Sequence, residues 1–197
     1  MANVTIIYYS STGTNHEMAK AVEEGAKAGG ADVRRRLVAE TASPAAIDTN
    51  PKWRAFVDST AKEPRAGVDD FAWGDAVIFG TPTRFGNVAA QLKSFMDALG
   101  GLWFQGKTAN KIYAGFTSAQ NAHGGQESTL LALYNSFYHF SGIIVTSGYA
   151  DPVVMKTGGN PYGPSVTAGN GGPTDDNLAH ARFLGKRVAE MAAKLSR

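Results

Sequence analysis

The stretch Val4-Thr5-Ile6-Ile7-Tyr8-Tyr9-Ser10-Ser11-Thr12-Gly13-Thr14-Asn15 limits what this chain can fold into more than any other. A run of apolar, β-branched and aromatic residues gives way abruptly to six residues dominated by hydroxyls and a glycine, and a helical pattern begins around His16 and Glu17. That order reads as strand, tight loop, helix. The first amides of such a helix have no intrahelical partners and lie at the positive end of its dipole, so the loop suits an anion. Hydroxyls of Ser10, Ser11, Thr12 and Thr14 can donate to the same oxygens. A nucleoside triphosphate loop requires G-x-x-x-x-G-K-[ST] and a dinucleotide loop G-x-G-x-x-G, and neither pattern is present. Neutral donors without Lys or Arg fit a single phosphate, of the kind carried by flavin mononucleotide (FMN). A hydroxyl-rich turn that simply caps a helix satisfies the same pattern.

The same grammar recurs downstream. Met18, Val22 and Ala26 fall at helical spacing, Gly29-Gly30 ends that helix, and Asp32 to Val38 reads as a second strand. Its Arg34-Arg35-Arg36 suits an edge strand that must not pair with other molecules, or else a phosphate patch. Thr41 to Asp70 is a polar connection with Trp53, Phe56 and Val57 as its buried helical face, and Asp69-Asp70 reads as a solvated acidic turn. Asp75 to Gly80 is a continuous apolar run, expected of a strand covered on both faces. The polar loop Thr81 to Asn87 follows, then a helix on Leu92, Phe95, Met96 and Leu99 that Gly100-Gly101 stops. Lys111 to Thr117 is a fourth strand, running into Ser118 to Gly125, and the next helix carries Leu130, Leu133, Tyr134 and Phe137. Ile143 to Val145 is the fifth strand. Gly148 to Pro173 shows no helical or strand period, which in a compact domain marks a functional or interface loop. Asp175 to Lys194 is a last helix with Leu184, Val188, Met191 and Leu195 on its apolar stripe.

Strands alternating with helices predict an α/β fold with a doubly wound, five-stranded parallel sheet in the order 2-1-3-4-5. No repeat or linker divides the 197 residues, so the expectation is one domain over 1–197. Ligands of such sheets collect beyond the carboxyl ends of the strands, where the strand order reverses. The three polar loops follow strands one, three and four and so share one rim. Composition narrows the rest. There is no cysteine, hence no disulfide, thiolate metal site or cysteine nucleophile. A net charge of +2 is too small for a nucleic-acid footprint. No apolar run is long enough to span a bilayer and no secretory signal opens the chain, which makes the cytoplasm the expected location.

Several motifs carry a resemblance over essentially the whole chain. Tyr8 to Thr14, Phe79-Gly80-Thr81-Pro82-Thr83-Arg84-Phe85-Gly86-Asn87, Gly100-Gly101-Leu102-Trp103, Gly124-Gly125-Gln126-Glu127 and Gly159-Asn160-Pro161-Tyr162-Gly163 are similar to the WrbA-like family of flavodoxin-fold NAD(P)H:quinone oxidoreductases. The resemblance implies FMN as cofactor, NADH or NADPH as electron donor, quinones as substrates, and a homotetramer whose active sites draw on neighbouring subunits. It further implies that Ser10, Ser11, Thr12, Gly13, Thr14 and Asn15 hold the FMN phosphate. Pro82, Thr83, Arg84, Phe85, Gly86 and Asn87 would then border the isoalloxazine ring, with Thr83, Arg84 and Phe85 along it. Ser118, Ala119, Gln120, Asn121, Ala122 and His123 would close over its other side. Trp103 and His139 would border the substrate pocket, His139 also against the cofactor. His16 and His123 are expected at the surface.

The expected reaction is a ping-pong exchange: hydride passes from NAD(P)H to flavin N5, and a quinone then takes two electrons in the same pocket, with no covalent side-chain catalyst. A flavodoxin-type single-electron carrier is the first alternative. Such carriers are strongly acidic, against the slightly basic balance of this chain. A regulatory binding protein ranks last, because no DNA-reading motif is present.

Overall fold

In the computed structural model, which describes residues 1–195, the expected alternation is present with additions. The elements in order are β1 (Asn3–Tyr8), α1 (Thr14–Ala28), β2 (Asp32–Leu37), α2 (Pro44–Asp48), α3 (Pro51–Ser59), α4 (Val68–Trp73), β3 (Ala76–Arg84), β4 (Asn87–Val88) and α5 (Ala90–Asp97). They continue with α6 (Gly100–Phe104), β5 (Ile112–Ala119), α7 (Gln126–His139), β6 (Ile143–Ile144), α8 (Val153–Lys156), β7 (Ser165–Thr167) and α9 (Asp175–Leu195). The parallel sheet runs β2-β1-β3-β5-β6, which is the predicted 2-1-3-4-5 order. The strand order reverses between β1 and β3, which lie side by side with Ile7 opposite Phe79 and Tyr8 opposite Gly80.

Successive residues of β1 point to opposite faces, and each face has its own core. Val4, Ile6 and Tyr8 pack under α1 and α9. Ile7 and Tyr9 join the side of α5 and α7, where Phe79, Tyr113 and Phe137 stack with ring centroids 5.5 and 4.8 Å apart. Helices α1 and α9 cross closely enough that a Cβ on Gly25 would stand 1.9 Å from the Arg182 carbonyl oxygen. Only glycine fits there. Among the described residues no helix is long and apolar enough to cross a membrane.

Several expectations require correction. Thr81 to Asn87 is not an open loop. The strand β3 continues through Arg84, turns at Phe85 and Gly86, which both have positive φ (53° and 74°), and pairs antiparallel with β4. Two such residues make the hairpin turn whose twist matches its strands. Gly100-Gly101 does not stop a helix but opens α6. The segment 148–173 is not structureless. It contains α8 and β7, and β7 pairs with β5 on the edge that β6 leaves, Ser165 opposite Thr117 and Val166 opposite Ser118. The fifth column of the sheet is therefore split into two short strands. Strand four, expected to end at Thr117, runs to Ala119.

The β2 strand lies at the sheet edge as expected, but its arginines are paired. Arg34 and Arg36 reach Asp70 at 3.4 and 2.9 Å, and Arg35 reaches Glu23 at 2.7 Å and Glu63 at 3.1 Å. Asp70 is thus a clamp on the arginines and not a solvated turn, because α4 begins there and aims it at β2. His16 is buried at 7% exposure, since the first turn of α1 directs it at Tyr8. Leu195, placed on the stripe of α9, is exposed at the end of that helix.

Candidate active site

Loop 1, between β1 and α1, is held open at its base. Gly13 is the N-cap of α1 with φ 101°, a left-handed conformation that suits glycine, and its amide donates to Ser10 Oγ at 3.1 Å. Among the described residues nothing accepts from the amides of Ser11, Thr12, Thr14 and Asn15. Asn15 is 1% exposed; its Nδ2 donates to the Tyr9 carbonyl at 3.4 Å, while its Oδ1 is buried with no partner. A buried acceptor without a donor is uncommon and costs about 1–3 kcal/mol, so it calls for a donor supplied from outside the chain.

Loop 2, the β3–β4 hairpin from Thr81 to Asn87, leans on loop 1. Arg84 Nη2 donates to Ser11 Oγ at 3.2 Å and Nη1 to the Thr83 carbonyl at 3.0 Å. Thr83 Oγ1 lies 2.5 Å from Thr129 Oγ1 and donates to the Gly125 carbonyl at 3.4 Å, tying loop 2 to the start of α7. Pro82 is buried, Gly86 half-buried, and Asn87 donates from Nδ2 to the Phe85 carbonyl at 3.3 Å. Phe85 is fully exposed in a left-handed conformation that costs an L-residue roughly 1–2 kcal/mol. An aromatic both strained and bare is expected where something stacks on it.

Loop 3 begins with Ser118 and Ala119 buried at the end of β5. Gln120, Asn121, Ala122 and His123 are exposed, and the Gln120 carbonyl accepts from the Gly169 amide at 3.0 Å. Loops 1 and 3 border one cavity of about 630 Å³, which includes Thr12, Gly13, Thr14 and Gln120. The segment 168–173 and the first turn of α3, with Asn50 and Lys52, close its other sides. Lys52 was missed because loop 1 was read by itself as a loop without a cation. The signal was available, since Asn50-Pro51 announces a helix start.

Trp103 and His139 meet each other but not this rim. Trp103 Nε1 donates to the His139 carbonyl at 2.9 Å, and both side chains are exposed. Helix α7 starts at loop 3 and His139 is its last residue, which puts His139 about 20 Å along the helix axis from the rim.

Beneath loop 1, burial and then the charges of Lys20 and Arg35 lower the pKa of His16, and burial pushes the Tyr8 phenol up to about 12. Burial works against the Glu40 carboxylate. Hydrogen bonds from the Ala42 amide, Tyr9, Gln91 and Trp53 outweigh it and hold Glu40 below the ordinary carboxylate range.

The family model for NADPH-dependent FMN reductases matches residues 2–152. The chain belongs to this family. A protein of Deinococcus radiodurans named NAD(P)H dehydrogenase (quinone) is 45% identical over 193 residues, covering 98% of this chain and 96% of its own. One of the same name from Geobacter sulfurreducens is 45% identical over 206 residues, covering 98% and 99%. Among solved structures, a flavodoxin, WrbA-like protein from Agrobacterium tumefaciens superposes with a TM-score of 0.72 at 26% identity, over 98% of this chain and 99% of that one. The likeness to WrbA-like proteins read from the motifs therefore holds over the whole length. The rim fits the group these names imply: unpaired amides suit phosphate oxygens, and the orphaned Asn15 Oδ1 suits a hydroxyl donor such as FMN carries on its ribityl chain.

Proposed function

We infer that the protein is an FMN-dependent NAD(P)H:quinone oxidoreductase of the WrbA-like type, working in the cytoplasm. The observation that carries this reading is loop 1, with its unpaired amides and the orphaned acceptor of Asn15, at the rim where loops 2 and 3 converge. Bound there, FMN supplies a two-electron relay between NADH or NADPH and a quinone, with N5 as the point of hydride exchange.

The residues do the positioning. Ser10, Ser11, Thr12, Gly13, Thr14 and Asn15 take the phosphate through amides and hydroxyls, and Asn15 Oδ1 accepts a hydrogen bond from a hydroxyl. Thr83 and Phe85 line one side of the ring, with Pro82, Gly86 and Asn87 fixing their turn. The Arg84 guanidinium balances negative charge that develops on the ring. Ser118, Ala119, Gln120, Asn121, Ala122 and His123 close the other side and limit water.

His139 stands about 20 Å from the rim along α7 and Trp103 is hydrogen-bonded to its carbonyl, which supports their serving a neighbouring subunit's pocket in a homotetramer. Each subunit is then one flavodoxin-like domain over 1–197. The exposed Tyr149 and Met155 in the segment 148–173 support its use at a subunit interface. Because one pocket serves donor and acceptor in turn, initial-velocity plots of NADH against benzoquinone should be parallel. Intersecting lines would rule out the alternating mechanism, and a monomer by sedimentation would rule out the shared pocket.

A further inference from the structure

We propose that the phosphate site of this protein is completed by a cation from outside loop 1, Lys52 on the first turn of α3, which makes the site selective for a phosphorylated flavin. The proposal rests on the FMN reading above and concerns which residues set its affinity. Asn50 caps α3, its Oδ1 accepting from the amides of Lys52 at 3.0 Å and Trp53 at 3.4 Å, so the turn carrying Lys52 is fixed. Lys52 lines the same cavity as Thr12, Gly13 and Thr14. Among the described residues its ammonium has no carboxylate partner, whereas the one acidic residue on that wall, Glu17, is paired with Lys20 at 3.3 Å. The other cation at the loop, Arg84, already donates to Ser11 and Thr83. A dianion against the amides of loop 1 would otherwise have only partial charges and Arg84 to offset it. Lys52, on a flexible stem at the mouth of the cavity, supplies the missing charge from solvent without a desolvation cost.

The test compares FMN with riboflavin, which lacks only the phosphate, by quenching of flavin fluorescence on titration with the wild-type protein and the K52Q and K52E variants. Lys62→Gln, a change in an exposed lysine away from the cavity, is the control. We expect the Kd for FMN to rise about threefold in K52Q and about tenfold in K52E, as for a solvent-screened ion pair and its reversal. Riboflavin affinity should stay within about twofold in both, and the difference between wild type and K52E should shrink in about 0.5 M NaCl. FMN affinity unchanged in both variants would overturn the proposal. Equal losses for FMN and riboflavin would also overturn it, by showing that the turn only shapes the cavity. Unchanged FMN affinity with a raised KM for NADPH but not NADH would reassign Lys52 to the nucleotide. A wild-type protein that takes up no FMN would sink the cofactor reading itself, a result distinct from any variant effect.

Discussion

Tyr8, the last residue of β1, and Tyr9, the next, face opposite sides of the sheet and hang from networks of opposite sign. The Tyr8 oxygen receives a hydrogen bond from Arg35 Nη1 at 3.0 Å, and its hydroxyl shares a second one with His16 Nδ1, 2.6 Å away. Arg35 continues to Glu23 and Glu63. Tyr9 donates to Glu40 Oε2 at 2.8 Å, and Trp53 Nε1 donates to the same oxygen at 2.9 Å. Glu40 Oε1 takes the amides of Thr41 and Ala42 at 2.9 Å each and Gln91 Nε2 at 2.8 Å. One network is a chain of alternating charges; the other is a star on a single carboxylate. Both brace the root of loop 1, Tyr8 against β2 and α1, Tyr9 against α3 and α5. A star concentrates its risk at one residue, and a chain spreads it.

The largest effect should therefore come from the centre of the star. Glu40→Ala leaves five donors without their acceptor and is expected to cost about 3 kcal/mol in urea unfolding, with weakened FMN uptake. Arg35→Met should cost less, about 1–2 kcal/mol, because Glu23 keeps Lys27 at 2.7 Å and Glu63 is half-exposed to water. Equal losses in the two variants would break the distinction between star and chain.

How much of this was legible depended on whether a signal was local. The junction at Ser10 could be read because the period of the apolar residues changes there, and β3 and β5 because unbroken apolar runs imply a strand covered on both faces. The segment Ser165–Thr167 could not: three residues with one apolar side chain have no period, and only pairing with β5, some 50 positions earlier, makes them a strand. His16 looked like a surface residue because its partner is a phenol on the strand below. Lys52 lies in a connection that reads as polar filler and Glu40 just ahead of it, and the place of Lys52 at the cavity follows from how α3 folds back. The family resemblance named Trp103 and His139 together, and they do touch. That they lie far from loop 3 follows only from the length of α7.

The outer members reverse the ranking of the two centres. Tyr9→Phe removes one of five donors from Glu40 and should cost about 0.5–1 kcal/mol, since the carboxylate stays satisfied. Tyr8→Phe strands the buried His16 Nδ1 and one Arg35 N–H, and is expected to cost about 1.5 kcal/mol by thermal and urea unfolding. If Tyr9→Phe proved the more costly, the five bonds to Glu40 would be acting as one cooperative unit.

The smallest effect separates the networks by pH. Burial, with Lys20 and Arg35, lowers the pKa of His16 from its ordinary 6.5, so the folded state favours the neutral ring. Its contribution is complete above pH 6.5 and is lost as pH falls below that value. Glu40 is lowered from 4.5, so its contribution is complete above pH 4.5 and disappears only in stronger acid. Both networks weaken on acidification, one by gaining a charge and the other by losing one. His180, hydrogen-bonded to Ser147 and Thr157 and lowered by burial to about 4, adds its own loss between pH 6.5 and 4. His16→Asn should therefore flatten the stability profile just below pH 6.5 when measured in a His180→Asn background, while Glu40→Gln leaves that window unchanged. A His16→Asn profile parallel to its parent throughout would mean that Tyr8 and Arg35 hold loop 1 whether or not the imidazole is charged.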